Sequence, residues 1–191
     1  MEISAKSGKQ PTEIRQAGLV EAALRLAAQR SPADITTGDL AQAVGITQGA
    51  VFRHFPNKEA VWLAVLDWTA DTLMRRLQIA ADAELTKTDP FAPLAALNAV
   101  FMAHVDFVVS HPGVPRVIFQ ELQHAQDTAL KARVRGLMQQ YRTLLMGVLA
   151  RAQAQQLLSP GSDLQAAAVL FVGSIQGLVM QSLVSGDVRA M

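Results

Sequence analysis

The spacing of apolar residues predicts helices along the whole chain, and one stretch near the N-terminus predicts two short helices joined by a tight turn. Within residues 35–58, Leu40 and Val44 recur at helical spacing, and Gly45 follows them and ends the helix. A sharp corner between helices favours a residue that tolerates positive φ, as glycine does. A second short apolar edge comes next, and Pro56 ends it. This pattern is typical of a helix-turn-helix, whose second helix enters the DNA major groove.

The second helix of this motif has a composition that suits contact with DNA. Val51 and Phe55 form its inward edge, and its other residues are small, uncharged or basic. Gly49 lets the backbone approach another surface, and no carboxylate is present to repel phosphate. The alternative is a short buried connector helix, which would not leave Arg53 and His54 exposed together. The residues that we expect at the DNA are Thr37, Thr47, Gln48, Gly49, Ala50, Phe52, Arg53, His54 and Lys58.

Further apolar stripes at helical spacing predict an all-α fold for the rest of the chain. The polar stretch 84–93 predicts a loop and a candidate domain boundary, and the last long stripes are sustained enough for helix pairing. The predicted helices span residues 12–30 before the motif and residues 57–81, 94–110, 114–124, 127–156 and 164–184 after it.

The motif residues resemble the TetR family of one-component bacterial transcription regulators. That resemblance covers residues 12–68 and implies an all-α homodimer. It implies an N-terminal three-helix DNA-binding domain, residues 1–56, on a helical ligand-binding and dimerisation domain, residues 57–191. The resemblance is carried by Ile35-Thr36-Thr37, Leu40-Ala41, Val44-Gly45-Ile46, Gly49-Ala50-Val51-Phe52, His54-Phe55 and Lys58-Glu59.

The resemblance also implies a function, with one departure from the family pattern. We expect a repressor that binds a near-palindromic operator as a dimer and is released by a small molecule. The family usually has Tyr where this chain has Phe52, and that hydroxyl typically bonds a backbone phosphate. Losing such a bond costs about 1.5–3 kcal/mol, or nothing if water replaces it. The alternative hypothesis is a dimeric helical scaffold protein whose helix-turn-helix no longer reads DNA.

The overall composition does not support DNA binding by itself, so the hypothesis depends on locally clustered basic residues. The 191 residues are 50% hydrophobic and 17% charged, with a net charge of +1, so overall charge does not favour nucleic acid. Lys6, Lys9 and Arg15 add to the cations expected on the DNA side, and the first eleven residues are either a DNA-contacting arm or a plain flexible terminus. The chain has no cysteine and no apolar leader segment, so we expect a cytoplasmic protein without disulfides.

The last predicted helix is apolar on nearly all sides. It is long enough to span a bilayer, but its Gln and Ser residues and the lack of a flanking basic cluster argue against insertion. Gly173 and Gly177 have the spacing that lets two helices approach closely. We therefore expect a homodimer formed through helices 127–156 and 163–185, and no membrane partner.

No catalytic signature is present, so an enzyme is not predicted. The sequence has no G-x-S-x-G, H-E-x-x-H, P-loop or G-x-G-x-x-G motif, and no metal or other cofactor is predicted. The second domain offers polar residues beside apolar stripes, which suits a pocket for a small, mostly apolar effector. Each of these residues also fits an ordinary core position. The candidate ligand-binding residues are Phe101, His104, Phe119, Gln123, Met138, Tyr141, Phe171 and Gln176.

Overall fold

The computed structural model describes residues 12–186, and within that range the chain is helical with no β-strand. Eight α-helices and one short 3-10 turn, Pro32–Asp34, are present in the described part. This confirms the all-α prediction. The helices are α1 (Thr12–Ala27), α2 (Thr37–Ala43), α3 (Gln48–Phe52), α4 (Lys58–Leu85), α5 (Ala92–Ser110), α6 (Gly113–Leu122), α7 (Ala129–Ala154) and α8 (Leu164–Ser185).

Local capping explains the geometry of the helix-turn-helix. At the start of α2, Thr36 and Asp39 form a capping box, each side chain bonding the other's backbone amide. At its end, Gly45 has a φ of 68°, as its place in the turn predicts. The amide of Gly45 donates to the carbonyl of Gln42, and the amide of Ile46 donates to that of Ala41. These two bonds set the corner between α2 and α3.

Several helix ends differ from their predicted positions. Helix α1 ends at Ala27 instead of residue 30, because the chain turns there into the 3-10 segment that Ser31 caps. Ser31 has a φ of −58°, so its backbone conformation does not require a glycine. Helix α4 continues to Leu85, four residues beyond its predicted end. Helix α3 ends at Phe52, although the amide of Phe55 still bonds the carbonyl of Val51.

One hydrophobic core joins the motif to the rest of the chain. Leu19, Ile35 and Val51 of the N-terminal helices belong to the same buried cluster as Val65 of α4 and Leu145 of α7. Helix α4 contacts α1 at its beginning and α5 and α7 further along. The proposed division between residues 56 and 57 stays a prediction, since this core crosses it.

Helix α8 keeps one face uncovered in the single chain. Val169, Leu170, Met180 and Val184 on this face are 56%, 72%, 48% and 83% exposed. Helices α5 and α8 are both long and apolar enough to cross a membrane by length and composition alone, a test that core helices of soluble proteins also pass.

Candidate nucleic-acid interface and ligand cavity

Helix α3 presents a small polar surface to solvent. Thr47 caps the helix by accepting a hydrogen bond from the amide of Ala50 at 3.2 Å. The side chain of Gln48 donates to the hydroxyl of Thr37 at 2.7 Å, so these two predicted contact residues lie side by side. Gly49 and Arg53 are exposed. Together they form a surface on which side chains of α2 and α3 can reach base edges.

Phe52 extends the same surface, and 47% of this residue is exposed. An aromatic ring this exposed is not held in the core, so it is free to meet another surface. Arg53 follows it at the end of α3 and forms no ion pair among residues 12–186. These positions are compatible with contact to sugar and phosphate.

Three predicted DNA residues are partly or fully engaged within the protein, and their role at the DNA stays a prediction. Ala50 is buried, whereas we expected it to face bases or the adjacent backbone. His54 is half-buried, and its Nδ1 is buried with no hydrogen-bond partner within the described residues. The ammonium of Lys58 donates to the carbonyl of Ala33 at 2.7 Å, which ties it to the 3-10 turn. Lys6 and Lys9 lie outside the described residues.

The one acidic side chain within α2 is held inside a local network. Asp39 accepts hydrogen bonds from the hydroxyl and the amide of Thr36, both at 2.7 Å, and lies 2.9 Å from the guanidinium of Arg30. These Thr36 bonds, and then Arg30, hold the pKa of Asp39 well below its usual range. Its negative charge is therefore compensated by Arg30 instead of opposing phosphate.

A cavity of about 500 Å³ lies among the helices that follow the helix-turn-helix. This volume is within the range of small-molecule sites. Its wall is mostly apolar and comes from five helices, α4 to α8. Its apolar lining residues are Leu73, Phe107, Val108, Val114, Pro115, Ile118, Phe119, Leu122, Val134, Leu137, Met138, Val172, Ile175 and Val179.

The cavity brings together half of the residues proposed for ligand binding. His104, Phe119, Met138 and Gln176 line it. Their role with a ligand stays a prediction.

The other four candidates lie elsewhere. Gln123 is exposed just after α6. Tyr141 is fully buried behind the lining. Phe101 and Phe171 pack edge to face at 5.8 Å between centroids, beside the cavity instead of in its wall. Helical spacing placed them on inward stripes but could not separate the cavity wall from the core behind it.

His104 is a half-buried titratable group of the cavity wall. Its Nδ1 lies 3.2 Å from the hydroxyl of Tyr141. Burial lowers the pKa of His104 to about 4 and raises the pKa of the Tyr141 phenol. Both groups are therefore neutral at pH 7. A neutral imidazole in an apolar wall provides one polar contact for a ligand without adding charge.

The sequence prediction missed three cations of the cavity wall. Lys131, Arg135 and Arg142 of α7 contribute to the lining. They follow one another at spacings of four and seven residues, which places them on one face of the helix. That spacing is visible in the sequence, but the sequence does not show that this face borders a cavity.

Helix α6 touches both the cavity and the N-terminal helices. One side of it lines the cavity, and the side-chain oxygen of Gln120 accepts hydrogen bonds from the amide of Ala33 at 3.0 Å and the hydroxyl of Ser31 at 3.2 Å. At its start, a β-carbon on Gly113 would lie 2.1 Å from the carbonyl oxygen of Leu24 in α1. The two helices meet backbone to backbone there.

No group of three or more His, Asp or Glu side chains is arranged to hold a metal ion within residues 12–186. The described residues thus form a polar surface on α2 and α3 and a mostly apolar cavity among α4 to α8.

Comparison with known proteins finds a family match in each part of the chain. Residues 19–65 match the model of bacterial regulatory proteins of the tetR family, and residues 118–191 match a tetracyclin repressor-like C-terminal domain. The chain is 24% identical over 178 residues to nucleoid occlusion factor SlmA from Marinomonas sp. (strain MWYL1), covering 93% of this chain and 84% of that protein.

Solved structures share the fold. FadR from Bacillus subtilis, in complex with stearoyl-CoA, has a TM-score of 0.75 at 18% identity, covering 91% of each chain. AibR in complex with isovaleryl coenzyme A and operator DNA has a TM-score of 0.69 at 20% identity, covering 87% of this chain and 86% of that one. The matched family consists of regulators, not enzymes. The chain belongs to the TetR family and is a DNA-binding transcriptional regulator with a TetR N-terminal helix-turn-helix and a TetR-like C-terminal domain.

Proposed function

We propose that this regulator is a cytoplasmic, ligand-responsive repressor that binds a near-palindromic operator as a homodimer. A small, mostly apolar molecule would occupy the cavity and release the protein from DNA. The observation that carries this proposal is α6, which lines the cavity on one side and bonds the DNA-binding region through Gln120 on the other. Similar folds have been solved with stearoyl-CoA and with isovaleryl coenzyme A and operator DNA.

The polar surface of α2 and α3 supports the DNA part of the proposal. We assign base contacts to Gln48 and Thr37, which already hydrogen-bond each other, and to Thr47 at the helix N-terminus. Arg53 and Phe52 are assigned to the DNA backbone, because they lie at the far end of α3 and are exposed. Two recognition helices in successive major grooves would require two-fold related half-sites.

The uncovered faces of α7 and α8 support the dimer. On α8 the exposed apolar residues Leu170, Met180 and Val184 share a face with Gly173 and Gly177. On α7, Gly136 and Gly147 are exposed and open to close approach. An exposed apolar stripe of this length favours a partner, and a second copy would bury it in a four-helix bundle.

The release step follows from the position of α6. A ligand that filled the cavity would press on the inner side of α6, and Gln120 would carry the displacement to the turn at Ser31 and Ala33. The carbonyl of Ala33 also holds Lys58 at the start of α4. The ligand must bind the released form more tightly than the DNA-bound form, because otherwise it shifts no equilibrium.

The test is recovery of DNA by the purified protein. Fragmented genomic DNA captured at moderate salt should yield a short palindrome, and Gln48→Ala should change which sequence is recovered. Arg53→Ala is the matched variant, and it should weaken all sites alike because Arg53 is assigned to the DNA backbone. Uniform weakening by both variants would contradict the assignment of Gln48 to bases. Equal recovery of all sequences, or of none, would favour the scaffold alternative.

A further inference from the structure

We infer that the molecule bound in the cavity is an amphipathic anion, whose apolar chain lies inside and whose negatively charged group meets the cations of α7. This inference rests on the proposed function and deepens it by naming the ligand's chemical class. The inference is based on one observation: the cavity is largely apolar, but its wall includes Lys131, Arg135 and Arg142.

The charge of the wall has one sign. Among the residues that the structure describes, the lining includes these three cations and no carboxylate. Helix α7 as a whole has five basic residues and no acidic one. A helix face that is merely solvated usually alternates acidic and basic residues, and in a chain of net charge +1 this segregation is local. A wall of this kind favours an anionic group.

The three cations differ in the hydrogen-bond and ion-pair partners that they already have within the protein. Arg135 is held by the carboxylate of Asp127 in two bonds, at 2.5 and 3.1 Å. The ammonium of Lys131 donates to the carbonyl of His124, and its charge also acts on the nearby carboxylate of Asp127. Arg142 is exposed and makes no ion pair or side-chain hydrogen bond within residues 12–186. Arg142 is therefore the group that we assign to the ligand's charge.

The apolar part of the cavity begins directly beside these cations. Met138 lies on the same face of α7 between Arg135 and Arg142, and Val134 and Leu137 line the wall next to it. A carboxylate or phosphate at Arg142 would thus have its attached chain directed along apolar side chains. A polar ligand would place polar groups against the apolar side chains of Val134, Leu137 and Met138. A purely apolar ligand would make no polar contact with Arg142.

The experiment compares three probes that share a twelve-carbon chain. Dodecanoate carries a carboxylate, lauroyl-CoA carries phosphates and a thioester, and dodecan-1-ol is neutral. Binding to the full-length protein is measured by calorimetry without DNA, below the concentration at which each probe aggregates. We expect the anionic probes to bind at least about tenfold more tightly than the alcohol, as a charged hydrogen bond provides. Raising the salt concentration should narrow that difference.

Arg142→Gln is the diagnostic variant, and Arg133→Gln is its control. Arg133 lies on the same helix, pairs with Asp67 at 3.0 Å and does not line the cavity. Arg142→Gln should remove the preference for the anionic probes and keep the affinity for dodecan-1-ol, while Arg133→Gln should change neither. A preference for lauroyl-CoA over dodecanoate would identify phosphate as the recognised group, and the reverse would identify carboxylate.

The outcomes separate this inference from the proposed function. Equal binding of the alcohol and the anions, or binding of none of them, would overturn the inference. If the alcohol bound equally and released operator DNA, the ligand-responsive repressor would stand without the anionic ligand. If the anions bound through Arg142 but never released DNA, the inference would stand and the proposed repressor mechanism would fail.

Discussion

Replacing Gly113 with alanine tests the close contact between α6 and α1. The new β-carbon would lie 2.1 Å from the carbonyl oxygen of Leu24 and 3.0 Å from the amide nitrogen of Ala28. The first distance is more than 1 Å short of the 3.4 Å at which ordinary contact begins. Both neighbours are backbone atoms of α1 or its continuation, so no side chain can rotate away. The start of α6 must therefore move off α1.

The loss of folding stability can be estimated from the known cost of overpacking. Extra methyl groups in well-packed sites cost about 1–3 kcal/mol. For a chain of this size each kcal/mol lowers the unfolding midpoint by about 2–4 °C, so we expect a fall of roughly 2–12 °C. The assay is thermal unfolding followed by circular dichroism at fixed protein concentration. The same displacement should lower operator affinity, because α6 also holds the turn at Ser31 through Gln120.

Gly18→Ala provides the matched control. Gly18 lies within α1, and a β-carbon there would meet nothing within 4 Å. In a helix interior alanine is favoured over glycine by about 0.5–1 kcal/mol, so this variant should be slightly more stable than the native protein. If Gly113→Ala unfolded at or above the native temperature while Gly18→Ala behaved as expected, the backbone contact between α6 and α1 would be refuted.

Three further predictions concern the coupling, the DNA surface and the buried histidine. Gln120→Ala removes the oxygen that accepts hydrogen bonds from Ala33 and Ser31. Dodecanoate should still bind this variant, but it should change the operator affinity less than it does in the native protein. Paired titrations with and without DNA would measure both effects. Phe52→Tyr should strengthen operator binding by about 1.5–3 kcal/mol in gel-shift titrations, because the new hydroxyl can donate to phosphate, and an unchanged affinity would count against its assignment. The pKa of His104 is about 4 when folded against 6.5 otherwise, so the unfolded chain binds an extra proton as pH falls through this window. The free energy of unfolding should therefore fall from pH 6.5 to pH 4, by up to about 3 kcal/mol, and His104→Gln should flatten the slope in urea titrations.

The fold could be predicted because its signals are local. Helical spacing and the turn at Gly45 act within a few residues, and the structure has them as predicted. The side-chain caps at Thr47 and Asn57 are equally local. The helix ends that were misplaced depend on distant contacts. Helix α4 continues past its predicted end because Leu85 still packs against the main core, which the composition near residue 81 does not reveal.

The cavity was harder to predict because its wall is a tertiary property. Tyr141 and Met138 lie one turn apart on the same helix and have similar local signals. Only the neighbouring helices decide that Tyr141 is sealed behind His104 while Met138 meets open space. For the same reason Ala50, which the motif pattern places at the DNA, turns its methyl group into the protein.

The shared core along α4 limits how this protein can be recombined with its relatives. A cut after residue 56 would remove Val61, Trp62 and Val65, which belong to the same buried cluster as Leu19 and Ile35. The N-terminal helices α1 to α3 would then expose the apolar side chains that now pack against α4. A chimera that exchanges the DNA-binding helices between family members must therefore include the first two turns of α4. The DNA-binding motif and the cavity are thus joined by one continuous helix, α4.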